Sequence, residues 1–151
     1  MARTCSPGRG VLVARWLERH CRIPATMGRF TRIDHVQLAM PAGREDDARA
    51  FYVDVLGFAE QPKPEKLRGR GGVWFASGTV RLHLGIDACF TAATKAHPAL
   101  RCATYAAIVA EIERAGIAIR ADPLPFEGQP HCYIDDPFGN RIELIADDRA
   151  D

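Results

Sequence analysis

The sequence has no C-x-x-C pair, and its cysteines are odd in number and widely spaced: Cys5, Cys21, Cys89, Cys102 and Cys132. That excludes a disulfide framework and a structural zinc cluster, and it makes a reducing cytoplasm the natural setting. No apolar run approaches the roughly 20 residues that cross a bilayer, so a membrane span is not expected. The chain also has little net charge, +1 over 151 residues, and the balance is uneven. Residues 1 to 32 carry seven arginines against the single acid Glu18, which leaves the remainder net acidic. By charge, the main domain is no nucleic-acid binder.

What is present is enough apolar content, 47%, to bury one real core. The stretch before Phe30 is rich in Arg and small residues and stands apart from it. Three readings fit that stretch: a targeting segment, because it is basic and acid-poor; a surface helix from Val11 to Cys21; or an upstream extension with Met27 as the functional start, the favoured reading. The domain plan is therefore an extension over 1–29, one domain over 30–148 made of modules at about 30–90 and 91–148, and a short tail at 149–151.

Two modules are read because a strand-helix-glycine order occurs twice. IDHVQLAM is followed by REDDARAFYVDVLGF, and KAHPALRC by ATYAAIVAEIERAGI. From His35 to Gly57 is 22 positions and from His97 to Gly116 is 19; from Gly57 to His83 is 26 and from Gly116 to Glu143 is 27. His35, His83, His97 and Glu143 thus fall at matched places as four candidate metal ligands. Three imidazoles and a carboxylate suit zinc, iron, nickel or manganese.

The first strand is read over Arg32 to Met40, where Val36, Leu38 and Met40 alternate with His35, Gln37 and Ala39. A helix is expected from Glu45 to Leu56, acidic at its start and closed by Gly57. Gln61 to Gly72 reads as a polar loop, either a flap or plain solvated chain. Val73–Ala76 and Thr79–Ile86 read as a hairpin. The second half is expected to run as a strand near Pro98 to Cys102, a helix near Tyr105 to Ala115, and a strand near Ile117 to Arg120. Cys132–Asp135 and Arg141–Ala146 then close it as a hairpin.

Helices must cover the apolar faces, so the faces carrying His35, His83, His97 and Glu143 should turn toward each other and form a polar cup. Gln37, Arg81, Arg101, Tyr133 and Arg141 share that parity and are the candidate substrate-binding residues; the arginines suit an anionic substrate. Trp74 either lines the mouth or closes the core. His131 has the parity of the cup but reads more safely as a surface or turn residue. Tyr52 is expected between helix and sheet, and Asp135, Asp136, Pro137, Gly139 and Asn140 as a hairpin turn.

IDHVQLAM with AFYVDVLGF, AHPAL after Lys95, and DDPFGNRIELI resemble the vicinal oxygen chelate superfamily: glyoxalase I, extradiol dioxygenases, fosfomycin-resistance transferases and bleomycin-binding proteins. The resemblance implies an α+β fold of two βαβββ modules whose curved mixed sheets surround one divalent metal ion, commonly in a homodimer. Carried over by position, His35, His97 and Glu143 match ligands, with Glu143 also a base, and His83 takes a fourth place usually held by Glu or Gln. The implied function is a metal-dependent lyase, isomerase or dioxygenase acting on a small molecule that chelates through adjacent oxygens. The alternatives are an antibiotic-sequestering protein of the bleomycin-binding type and, more weakly, a fosfomycin-type thiol transferase.

Overall fold

The computed structural model describes residues 28–123 and 128–147. The readings for Val11–Cys21, Met27 and the tail lie outside them. The chain divides into two units, Met1–Ile33 and Asp34–Asp151. In the first, the described residues 28–33 are irregular and exposed.

The second unit is α+β. Its first module runs β1 (Val36–Met40), α1 (Glu45–Arg49) passing directly into a π-helical stretch (Ala50–Val55), β2 (Ala59–Gln61), α2 (Glu65–Arg68), β3 (Val73–Ser77) and β4 (Val80–Ile86). The second runs β5 (Ala99–Cys102), α3 (Tyr105–Arg114), β6 (Arg120–Ala121), β7 (His131–Asp135) and β8 (Arg141–Ala146). Each module forms a four-stranded mixed sheet, in the orders β1-β4-β3-β2 and β5-β8-β7-β6. The outer pairs β1–β4 and β5–β8 are parallel, the others antiparallel. This is the expected pair of βαβββ modules, and neither sheet closes into a barrel.

The period of two decides which face is buried. Met40, Val73, Phe75, Leu82 and Leu84 of one sheet and Cys102, Cys132, Ile134, Ile142 and Leu144 of the other are buried in one core, together with Tyr52 from the π-helical stretch and Ile112 from α3. Both sheets give that core their apolar faces, so both polar faces point away from it and do not turn toward each other as the sequence reading expects, because the apolar faces pack on one another. Gly57 and Gly116 each follow a helix at φ +70°, the left-handed turn that ends it without a Cβ clash.

The DDPFGN turn joins the modules. Asp136 Oδ1 accepts the backbone N–H groups of Phe138 (2.9 Å) and Asn140 (2.8 Å), while Oδ2 accepts from the Tyr52 hydroxyl at 2.9 Å and the Asn140 amide at 2.8 Å. Asn140 Nδ2 also donates to the carbonyl of Ala39 on β1, at 2.8 Å. Burial raises the proton affinity of both Asp136 and the Tyr52 phenol.

Several boundaries differ from the sequence reading. β1 begins at Val36, because the parallel ladder starts at Val36 opposite Leu82. β2 and α2 occupy what reads as loop; both are short and mostly exposed, so they carry no hydrophobic period. The sixth strand is Arg120–Ala121, since Ile117 and Ile119 pack against the core instead of joining a ladder. The seventh begins at His131.

Candidate metal and substrate site

The register makes the two polar faces directly comparable. On the first, Gln37 is level with His83, and His83 with Trp74. On the second, Ala99 is level with Glu143, and Glu143 with Tyr133. Each entry histidine, His35 or His97, lies two residues before the level of its fourth-strand donor. His83 and Glu143 are therefore equivalent, as are Trp74 and Tyr133.

His35 Nδ1 is 2.9 Å from Asp34 Oδ1, and His97 Nδ1 is 2.6 Å from the carbonyl oxygen of Lys95. A carbonyl can only accept, so His97 Nδ1 carries the hydrogen, and the Asp34 carboxylate favours the same for His35. Both rings thereby keep Nε2 for another partner. For His97 that partner is Glu143, whose Oε2 lies at 3.2 Å. Glu143 is only 7% exposed, and such burial is costly for a carboxylate unless positive charge or donors face it.

The structure brings the four candidate donors together as two pairs. The His35 and His83 rings stack at a centroid distance of 4.1 Å, and His83 stacks in turn on Trp74 at 4.1 Å with only 6° between the planes. His97 is paired with Glu143. Among the described residues no group of three or more His, Cys, Asp or Glu side chains is arranged to hold a metal ion. Each pair belongs to its own sheet, and both polar faces look away from the shared core. The proton affinity of His83 is lowered, first by burial and then by the positive charge of His35 and Arg81, against the opposing pull of Asp34. Its imidazole is thus kept neutral, the form that binds metal.

Gln37 and Arg81 line a cavity of about 430 Å³ with His35, His83 and Trp74. Tyr133 meets His97 edge-on at 5.5 Å, and the Arg141 guanidinium sits 5.7 Å over its ring. Loss of solvent and then the Glu143 and Asp122 carboxylates raise the Tyr133 phenol above its usual range. Arg101 lines a separate cavity of about 340 Å³ with Leu56 and Leu144, and none of the four donors lines that cavity.

Sequence reasoning misplaced His131. It is 7% exposed, with Nε2 at 3.8 Å from Glu143 Oε1 and 3.6 Å from Asp122 Oδ2. A surface or turn role is therefore wrong for it. The signal was its parity with Tyr133, two residues on. Lys63 and Arg70 were also missed; both line a cavity beside Trp74.

The family model for the Glyoxalase/Bleomycin resistance protein/Dioxygenase superfamily matches residues 32–144. The chain belongs to that superfamily. A glyoxalase family protein of Bacillus anthracis is 40% identical, with 80% of this chain and 98% of that one covered and a TM-score of 0.76. A glyoxalase/dioxygenase of Nostoc punctiforme (23% identity, 80% and 93% covered, TM-score 0.65) and a lactoylglutathione lyase of Agrobacterium tumefaciens (24%, 79% and 96%, 0.58) share the fold. No curated protein matches the chain.

Proposed function

We propose that this superfamily member is a divalent-metal-dependent enzyme acting on a small molecule that presents two adjacent oxygens, as a lyase, isomerase or dioxygenase. The observation that carries the reading is the matched presentation of Nε2 by His35 and His97. Both anchor Nδ1 on an acceptor, as metal-bound histidines commonly do, and each lies beside a further donor, His83 or Glu143. Three imidazoles and a carboxylate fit zinc, nickel, iron or manganese.

One protomer supplies the donors as two pairs on separate faces. We therefore assign the assembled site to a homodimer in which His35 and His83 of one copy meet His97 and Glu143 of the other. When bound, the metal would supply Lewis acidity to the substrate oxygens. Glu143 would take or return the proton, with the Tyr133 hydroxyl, held protonated, as a hydrogen-bond donor beside it. Gln37, Arg81 and Arg141 would orient the substrate. A thiol-transfer role gains nothing from Cys102, whose thiol burial pushes up to about 11.

The described residues contain no helix long and apolar enough to cross a membrane, and Cys89, Cys102 and Cys132 are free thiols, which supports a cytoplasmic setting. The test is elemental analysis of purified protein beside a His97→Ala, Glu143→Ala double variant, with light scattering for mass. Stoichiometric metal that disappears in a folded, dimeric variant is the expected result. No metal after reconstitution would overturn the reading and leave sequestration of a small molecule in its place.

A further inference from the structure

The two modules differ most at one pair of equivalent positions. On the second sheet His131 is level with Ile145, and both side chains are buried. Continuing the β3–β4 register by one step puts Gly72 level with Gly85 at the same place on the first sheet. Where one face is filled by an imidazole and a branched chain, the other has no side chains. Beside Gly85 lies a cavity of about 290 Å³, lined by Gln37, Lys63, Arg70, Trp74 and Gly85 among others, and no carboxylate lines it.

The Gln61–Gly72 loop walls this cavity and is tied down by its own bonds. Lys63 Nζ donates to the carbonyls of Gly71 and Gly72, Arg68 Nε donates to the carbonyl of Lys63, and the Gly72 N–H is held by Glu45 at 2.9 Å. Lys63 is consequently fixed at the cavity wall, and Arg70, whose backbone N–H donates to the Leu67 carbonyl, stands beside it. Trp74, Gln37 and Leu67 also line the 430 Å³ cavity at His35 and His83, so the two spaces share a wall.

We propose that the cavity beside Gly85 is an oxyanion subsite, taking a carboxylate or phosphate arm of a substrate whose other end lies at His35 and His83 across Trp74. Arg70 supplies a planar pair of donors, Lys63 a second positive charge and Gln37 an amide. The Glu45 carboxylate, which does not line the cavity, accepts from the Gly72 backbone N–H. The position of the substrate's other end rests on the function proposed above; the subsite itself does not need a metal.

The sequence has two tryptophans, Trp16 and Trp74. In full-length Trp16→Phe protein, stripped of metal by a chelator, Trp74 emission is titrated with benzoate, methyl phosphate and neutral benzamide. Saturable quenching by an anion and not by benzamide is expected. Arg70→Gln should weaken it by about tenfold or more, and Arg70→Lys by less. Gly85→Ala, whose Cβ would meet Gln37 Nε2 at 2.6 Å and push that amide into the space, should weaken both anions. Equal saturation by benzamide, no saturation by either anion, or unchanged affinity in folded Arg70→Gln or Gly85→Ala overturns the subsite. Elemental analysis of the unstripped protein reads the metal proposal separately, so either can fail alone.

Discussion

The first module holds its polar face together with rings and leaves space in it; the second fills its face and gathers it around a buried carboxylate. His35, His83 and Trp74 form a column of stacked planes above a glycine-lined cavity, whereas Glu143 lies between His97 and His131 with Ile145 filling the level beside them. One backbone plan thus yields a ligand-sized opening in one copy and a packed, polar surface in the other. The β-ladders are so alike that the difference rests on a few side chains, chiefly Gly72 and Gly85 against His131 and Ile145.

The largest break in this comparison should come at the hairpin turns. Asp136→Ala strands the N–H groups of Phe138 and Asn140, the Asn140 amide and the Tyr52 hydroxyl, and should cost about 3–5 kcal/mol in urea unfolding. In the equivalent turn of the first module, Thr79→Ala should stay within about 0.5 kcal/mol.

The glycine level comes next. Gly72→Ala forces a Cβ onto the Leu84 carbonyl oxygen at a backbone φ of +75° and should lower stability by about 2–4 kcal/mol, read as a fall in Tm. His131→Ala, at the matching place, removes an imidazole facing two carboxylates. In reconstituted protein it should weaken metal retention against a chelator by about tenfold, through a poorly held Glu143.

The His83 imidazole sharpens the contrast in a pH experiment. Its folded pKa lies below the unfolded value of roughly 6.5, so around that pH the unfolded chain binds more protons. Stability of the metal-free protein should therefore be whole above that range and fall as the pH drops through it, by less than about 1 kcal/mol for this half-exposed ring. NMR titration should show the low midpoint, and His83→Gln should flatten the slope.

Smallest of all should be two surface arginines that play matching parts. Arg49 grips Glu60 at 2.9 and 3.0 Å, and Arg120 grips Asp135 at 2.5 and 2.7 Å. Both pairs are exposed, so either Arg→Ala change should cost about 0–1 kcal/mol, with less effect in high salt.

The faces of the sheets were legible because burial imposes alternation. Leu82 and Leu84 against Arg81 and His83 could be assigned from order alone, and the two-module architecture followed from the repeat. The pairing within each face was not legible, because parity fixes the face of a residue and leaves the register open, and the four donors were expected together in one cup. The residues that escaped did so for physical reasons. β2 is an edge strand of three residues and α2 a single turn, too short for any period to show. His131 is buried by its neighbours on β6 and β8, which no local pattern reports. A cavity beside Gly85 is invisible in sequence, because glycine reads as a breaker until the opposite strand is known.

The bond between Asn140 and Ala39 has a kinetic consequence. Inside each sheet the parallel strands pair over spans such as Val36 to Leu82 and Ala99 to Glu143, but Tyr52 to Asp136 spans 84 residues and Asn140 to Ala39 spans 101. Closing the longer loops costs more chain entropy, so each sheet should nucleate by itself and the DDPFGN turn should lock last. A latch that forms after the folding barrier adds nothing to the speed of folding and much to the lifetime of the folded state.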